Sequence, residues 1–330
     1  MLGALIVALL ALFVYVNTGR GPVAQTSKLI DNNEFRLFNP STCRVQNNQI
    51  LVFRYSNRSF CPNKWLPPRN DEFIKIQTSY ILIYFTHLSI TAFLDTSSLG
   101  FAHYEDGRII ALSGQFAAIV FTKYKDKLAK ICVAVVEIPS GPTGPTLVPK
   151  SCIEFDSEQN QKNWMPRFSS GALYLHVSLE KNIVFVVPNI ETLNGYVNVS
   201  VPKIPLSKWR GSSPIIDTPW GQLGIVHYRR PQSLKKKLLP DYVHAFFLLD
   251  EQGTTVFREF EVNIIDLQGF TYLTGFDVQP HGLIVYSGVT DCYSVSFLLS
   301  NDYLKKNILI ESTQCNDSIL EINVPHLEIY

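Results

Sequence analysis

Four polar stretches interrupt an otherwise apolar, β-rich chain, and their side chains are of the kinds that move protons and hold anions. The first is Tyr104-Glu105-Asp106-Gly107-Arg108, two adjacent carboxylates followed by a glycine and an arginine. The second, residues 161–168, reads QKNWMPRF and brings Lys162, Asn163 and Trp164 together. The third begins at Lys208-Trp209-Arg210, continues through GSSP at 211–214 and leads along a strand to His227, Arg229 and Arg230. The fourth, residues 287–292, reads SGVTDC and contains Asp291. A carboxylic acid aimed at a leaving oxygen, carboxylates and amides for hydroxyl groups, and an aromatic face for a ring are the parts of a carbohydrate site. Fixed cations and donors are what phosphate or a diphosphate requires. Each residue also has an ordinary reading. Asp is common in turns, most charged side chains are solvated, and a histidine in an apolar strand can be a satisfied core residue. Trp164 and Trp209 belong to a type that packs more often than it stacks on a ligand.

The elements that must position these stretches read as strands. ILVFRY (50–55), FIKIQTSYILIYF (73–85), RIIALSG with QFAAIVFTKY (108–124) and KICVAVVEI (130–138) are rich in Val, Ile, Phe and Tyr and are bounded by turn residues. The pattern continues through 172–188, 214–230, 244–262 and 282–300, with turns at 113–114, 180–182, 219–221 and 251–253. No window carries a helical period over three turns. Evenly spaced hairpins over most of the chain predict an all-β sandwich array or a propeller, and five blades would allow about 58 residues each. The domain plan is a leader at 1–19, a stem at 20–45 and a single β-propeller domain at 46–330.

Charge and targeting signals narrow the partners. Lys and Arg number 29 against 28 Asp and Glu, a net charge of +1, which lacks the basic excess of a nucleic-acid binder. The one dense basic run, Arg229-Arg230 with 235–237, reads as a solvated loop. Residues 1–16 carry no charge, a length between a signal h-region and a membrane span, and predict a signal peptide or a short signal anchor. Sequons at Asn57, Asn198 and Asn316 agree with a secretory, lumenal or extracellular protein, secreted or held to the membrane by the N-terminal segment. Six cysteines without a CxxC pair argue against a thiolate metal site and for one to three disulfides, with Cys43–Cys61 and Cys132–Cys152 the nearest pairs. His103, His176 and His244 have no metal-ligand spacing, so neither metal nor cofactor is expected.

Taken together, the four stretches resemble a known family. Tyr104-Glu105-Asp106-Gly107-Arg108-Ile109 resembles the Glu-Asp-Pro-Arg motif of the five-bladed β-propeller mannoside phosphorylases and mannosidases of glycoside hydrolase family 130, and equally that of the β-1,2-mannosyltransferases. Lys162-Asn163-Trp164-Met165-Pro166 looks like their Lys-Asn-Trp-x-Pro variant. Ser213-Pro214 with GQLGIVH at 221–227 is similar to their Pro-Pro…Gly-Trp-Leu…His block, and 287–292 to their Gly-x-x-Asp block. The resemblance implies a five-bladed propeller and an inverting, single-displacement reaction with Asp106 as general acid, its pKa raised by burial beside Glu105. It further implies that Arg108, Lys162 and His227 face phosphate or a sugar-nucleotide diphosphate. Asp291 would bind sugar hydroxyls, Trp164 would stack or wall the pocket, and Glu105, Asn163 and Arg210 complete the substrate contacts. Two positions depart from the pattern. Gly107 stands where the motif has proline, and 270–276 reads FTYLTGF where a glutamate is expected, with Asp277 the nearest carboxylate.

Three reactions fit that scaffold. A hydrolase needs a second carboxylate, for which Glu105, Asp217 and Asp277 are candidates. A phosphorylase needs a basic cluster for free phosphate, and a transferase needs the same cluster with room for a nucleotide. The leader and sequons favour glycosyl transfer from a nucleotide-sugar or sugar-phosphate donor, of the mannosyl type, to a glycan acceptor. Hydrolysis or phosphorolysis of β-mannosides is the alternative, and a non-catalytic propeller that binds glycans or a protein is the other.

Overall fold

Residues 116–121 and 131–136 are apolar at every position, the pattern of strands covered on both faces rather than one. The computed structural model shows why. It describes residues 23–25, 36–46, 48–56, 79–85, 90–97, 103–125, 128–140, 146–155, 163–178, 183–190, 193, 197–200, 209–230, 242–249, 255–264, 271–289, 293–307 and 320–324. These form five sheets arranged as the blades of a propeller.

A short strand β1 (Val23–Gln25) precedes the first blade. Blade I runs outward from β2 (Arg36–Val45) through β3 (Asn48–Ser56) and β4 (Ser79–Phe85) to β5 (Ile90–Leu94). Blade II starts with β6 (His103–Ala111), β7 (Phe116–Lys125) and β8 (Leu128–Glu137). The chain then lends β9 (Thr146–Leu147) to the outer edge of blade I, parallel to β5, and returns as β10 (Ser151–Phe155) to finish blade II. Blade III is β11 (Met165–Ser169), β12 (Ala172–Ser178), β13 (Ile183–Val187) and β14 (Val197–Ser200). Blade IV has β15 (Arg210–Gly211) and β16 (Ile216–Thr218) at its inner edge, then β17 (Gly221–Arg229), β18 (Tyr242–Leu249) and β19 (Thr255–Ile264). Blade V is β20 (Thr271–Gln279), β21 (Gly282–Val289) and β22 (Tyr293–Ser300), and β1 pairs with β22 on its outside. A seven-residue helix, α1 (Asn301–Asn307), leads toward β23 (Leu320–Val324), which lies parallel to β19 on blade IV.

Five apolar clusters fill the five seams between blades. Strand alternation divides blade II between two of them. Ala117, Ile119, Phe121, Cys132, Ala134 and Val136 pack on Ile50, Val52, Ile81 and Ile83 of blade I. Ala118, Val120, Ile131, Val133 and Val135 face Trp164, Leu173, Leu175 and Val187 of blade III. Met165 meets Trp209, Ile215, Val226 and Phe247 at the III–IV seam, and Ile225 and Phe246 meet Leu273, Val285 and Phe297 at IV–V. Leu37, Leu51 and Phe53 with Tyr286 join blades V and I. Each fully buried side chain of this kind contributes about 1.5–3 kcal/mol, so the ring is held by its seams.

Two expectations change. Strands β1 and β2 lie within residues 20–45, where the sequence suggested a stem, and β2 is the innermost strand of blade I. Cys43 and Cys132 are free buried thiols, so neither Cys43–Cys61 nor Cys132–Cys152 is formed. Cys132 stands opposite Glu154 and Cys152 opposite Ala134. They are diagonal neighbours, whose Cα atoms are about 7–8 Å apart, beyond the usual disulfide span of about 4.4–6.8 Å. Burial pushes the Cys132 thiol up to about 12. The leader, Asn57, Asn316, Cys61, Cys292, Cys315 and residues 235–237 lie outside the described residues. Asn198 sits in β14 opposite Phe185. Among the described residues no helix is long and apolar enough to cross a membrane.

Candidate active site

The site is built where the innermost strands bulge. On β6, Glu105 stands opposite Thr122 and Arg108 opposite Val120, so β6 carries one residue more than its partner. On β2 the same surplus falls between Phe38 and Ser41, and on β20 between Leu273 and Gly275. A bulge bends a strand and re-aims the side chain at the bend. Asp106 and Asn39, the residues at two of these bulges, both have φ of 53°, in the left-handed region that Asp and Asn tolerate better than most. The two meet, with Asn39 Nδ2 donating to Asp106 Oδ1 at 2.6 Å. Asn39 is buried against Gly288, where an added Cβ would come within 2.2 Å of its Oδ1.

Arg108 lies two residues beyond Asp106 and is 1% exposed. Its Nε donates to the Ser212 carbonyl, Nη1 to the Gly107 carbonyl at 3.2 Å and Nη2 to the Tyr272 hydroxyl at 3.4 Å. The guanidinium carbon is 5.8 Å from the centre of the Tyr272 ring. These partners come from blades II, IV and V. Among the described residues no carboxylate pairs with Arg108, and the partners seen for this buried positive charge are dipoles and a ring face. The neighbouring carboxylate is committed elsewhere: Glu105 is 2.8 Å from Arg54 in a nearly buried ion pair between blades I and II.

His227, on β17, closes the tier from blade IV. Its Nδ1 is 2.8 Å from Ser212 Oγ, and Tyr272 and Tyr242 meet its ring edge-on at centroid distances of 4.8 and 5.5 Å. Behind it, His244 on β18 accepts the Leu273 N–H at Nε2 over 3.1 Å. Burial lowers the His244 pKa to about 3, which keeps that ring neutral. The 211–213 turn is fixed by contact. A Cβ on Gly211 would lie 2.3 Å from the Asn163 carbonyl oxygen, so only glycine allows Asn163 (φ 71°) to approach.

The residues singled out in the sequence thus separate. Asp106, Arg108 and His227 are brought together around Asn39, Ser212 and Tyr272, and Asn163 reaches the same turn. Arg210 is exposed opposite His227 in the β15–β17 register. Trp164 is 2% exposed between Phe155 and Phe185 in the II–III seam, a packing position rather than a stacking one. Lys162 and Asp291 lie outside the described residues. Of the carboxylates considered as water activators, Asp277 is clamped by Arg44 through Nε at 3.1 Å and Nη2 at 2.7 Å, and Asp217 accepts from Gln222 at the hairpin surface. Among the described residues no group of His, Cys, Asp and Glu could hold a metal ion. Asn39, Tyr242 and Tyr272 were given no role from the sequence, and Ser212, which lies in the third polar stretch, was given none of its own.

The fold defines a five-bladed β-propeller with a polar tier at its inner strands, and solved structures share that architecture. No family model matches the sequence, and no curated protein does. A putative glycoside hydrolase from Parabacteroides distasonis superposes with a TM-score of 0.56 at 14% identity, over 86% of this chain and 94% of that one. The β-1,2-mannobiose phosphorylase of Listeria innocua, in complex with β-1,2-mannobiose, gives 0.55 at 14% identity over 88% and 97%. A mannose phosphorylase from Leishmania mexicana, in complex with phosphate ion, gives 0.52 at 12% over 93% and 94%. At such identities the likeness establishes the shared fold, the one implied by the motif resemblance.

Proposed function

We propose that the chain is a carbohydrate-active enzyme that cleaves β-mannosides with inversion, by phosphorolysis. The observation that carries this reading is Arg108, a buried guanidinium without a carboxylate partner among the described residues, two positions from Asp106. A fixed, desolvated cation is a binding group for an inorganic anion. In the step proposed, a phosphate oxygen attacks the anomeric carbon, the bond to the leaving oxygen breaks, and Asp106 gives that oxygen its proton. The products are α-mannose 1-phosphate and the shortened glycan, and Asp106 regains its proton from solvent. His227 and Lys162 are assigned to the phosphate with Arg108. Asn163, Arg210 and Asp291 are assigned to sugar hydroxyls.

Hydrolysis is less well supported, because it needs a second carboxylate to activate water, about 6.5–9.5 Å from the acid. Of the three candidates, Glu105 is held by Arg54, Asp277 by Arg44, and Asp217 lies at the hairpin surface. Phosphate is its own nucleophile and needs no such base. Glycosyl transfer from a sugar nucleotide rested on the leader and sequons, which are largely outside the described residues. Proteins of similar fold include a putative glycoside hydrolase and two phosphorylases, which supports cleavage over transfer.

The test incubates the full chain with β-1,2-mannobiose, with and without inorganic phosphate. The expected result is phosphate-dependent release of mannose 1-phosphate, falling about 10²–10⁴-fold in Asp106→Asn. Release of free mannose without phosphate would indicate hydrolysis instead. Transfer only from GDP-mannose would restore the transferase reading. Equal turnover by wild type and Asp106→Asn would remove Asp106 as the acid.

A further inference from the structure

Ser212 touches both basic groups of the polar tier. Its carbonyl accepts from Arg108 Nε, and its hydroxyl lies 2.8 Å from His227 Nδ1. It is 1% exposed, and its own N–H is used by the Ile225 carbonyl. Among the described residues the hydroxyl has one partner, the imidazole nitrogen. A hydroxyl carries one proton, and leaving that proton without an acceptor in a dry interior costs about 1–3 kcal/mol. If Nδ1 carried a hydrogen, Ser212 Oγ would have to accept it and its own proton would have no acceptor among the described residues. If Nδ1 is bare, the hydroxyl donates to it and the proton of Ser212 has its acceptor.

We propose that Ser212 is a positioning residue that fixes His227 as the neutral Nε2–H tautomer while it aims the Arg108 guanidinium. The tier then holds one permanent charge, on Arg108, beside an uncharged imidazole whose single proton is on Nε2. The adjacent Ser213 marks the contrast. Its hydroxyl donates to the Pro214 carbonyl and accepts from the Ile225 N–H, so it serves the turn alone. The tautomer assignment stands on this hydrogen-bond geometry; only its kinetic consequence rests on the phosphorolysis reading.

The test is long-range proton–nitrogen correlation NMR on the full chain labelled with ¹⁵N-histidine. The seven histidines are sorted by comparison with His227→Gln. The expected spectrum places the His227 Nδ1 signal with unprotonated imidazole nitrogens and Nε2 with protonated ones at pH 7.5. Ser212→Ala should give a mixture of tautomers, and Ser212→Thr, which keeps the hydroxyl, should restore the wild-type pattern. Near-UV circular dichroism checks that each variant is folded. A protonated Nδ1 in the wild type overturns the assignment, whatever the enzyme does. So does a folded Ser212→Ala with an unchanged pattern. In the phosphorolysis assay Ser212→Ala should raise KM for phosphate about tenfold or more, in line with loss of a hydrogen bond to a charged-site group, while leaving KM for mannobiose within about twofold. An inactive wild type with the expected tautomer would fault the function and leave the Ser212 assignment standing.

Discussion

Replacing Gly107 with alanine tests whether the residue between Asp106 and Arg108 is a loosened turn or a packed contact. A Cβ at this position would lie 2.9 Å from Val52 Cγ1 and 3.5 Å from Ile81 Cδ1. Carbon atoms rest about 3.5–4.0 Å apart, so Val52 would have to yield by roughly 0.6 Å or more. It has little room to do so, being 0% exposed beside Ile81 in the I–II seam. Overpacking of this kind costs about 1–3 kcal/mol. Alanine returns about 0.4–1 kcal/mol by stiffening the unfolded chain. The net expectation is a loss of about 1–2 kcal/mol, or a Tm lower by about 1.5–3 °C in a domain of this size. The assay is denaturant unfolding of wild type, Gly107→Ala, Val52→Ala and the double variant. Val52→Ala removes the methyl in the way, so the double variant should be more stable than the sum of the singles by about 1 kcal/mol. A Gly107→Ala protein as stable as wild type, or a cycle additive within about 0.5 kcal/mol, would refute the packing argument. Proline carries the same Cβ, so Gly107→Pro should lose at least as much. The glycine at this position is then a condition of Val52, not a sign of decay in the motif.

Two further outcomes follow from buried charge. Glu105→Gln leaves Arg54, whose side chain is 6% exposed, without its counter-charge and should cost about 3 kcal/mol in urea unfolding; a loss below about 1 kcal/mol would mean that the pair is effectively solvated. Burial holds the His176 pKa near 4, helped by the Arg167 charge, and burial alone holds His244 near 3. Above about pH 6.5 both states are neutral at these rings, but below it the unfolded chain takes up protons that the native one refuses. Stability should therefore fall by about 2 kcal/mol for each ring between pH 7 and pH 5. His176→Leu should remove about half of that slope, and an unchanged slope would show that His176 is not the group responsible.

Much of the fold was legible because a blade packed on both faces leaves a plain mark in sequence. Runs such as 117–121 are apolar at every position, and the two-residue period only decides which seam each residue enters. Asp106 and Arg108 were legible as charges set into such a run. Asn39 was not, since Asn-Pro reads as a turn and a bulge breaks the period that would have marked β2. Ser212 and Tyr272 are ordinary residue types, and their importance comes from reaching across the ring to Arg108. Trp164 misled because a tryptophan beside polar residues looks the same whether it lines a cleft or fills a seam. The Cys132–Cys152 pairing misled because closeness along the chain says nothing about a diagonal offset between strands.

The polar tier has a consequence for how the protein comes into being. Its bonds join residues 67 positions apart for Asn39 and Asp106, 104 for Arg108 and Ser212, and 164 for Arg108 and Tyr272. Such separations are slow to close. In a linear repeat array each unit is stabilised by its neighbours and a fragment keeps its local surface. Here a nascent chain of three blades has Asp106 and Arg108 with the Gly107 carbonyl, but neither Ser212 nor Tyr272 to aim the guanidinium. The tier is complete only when the last blade has joined the ring, and its completion is a clock for that closure.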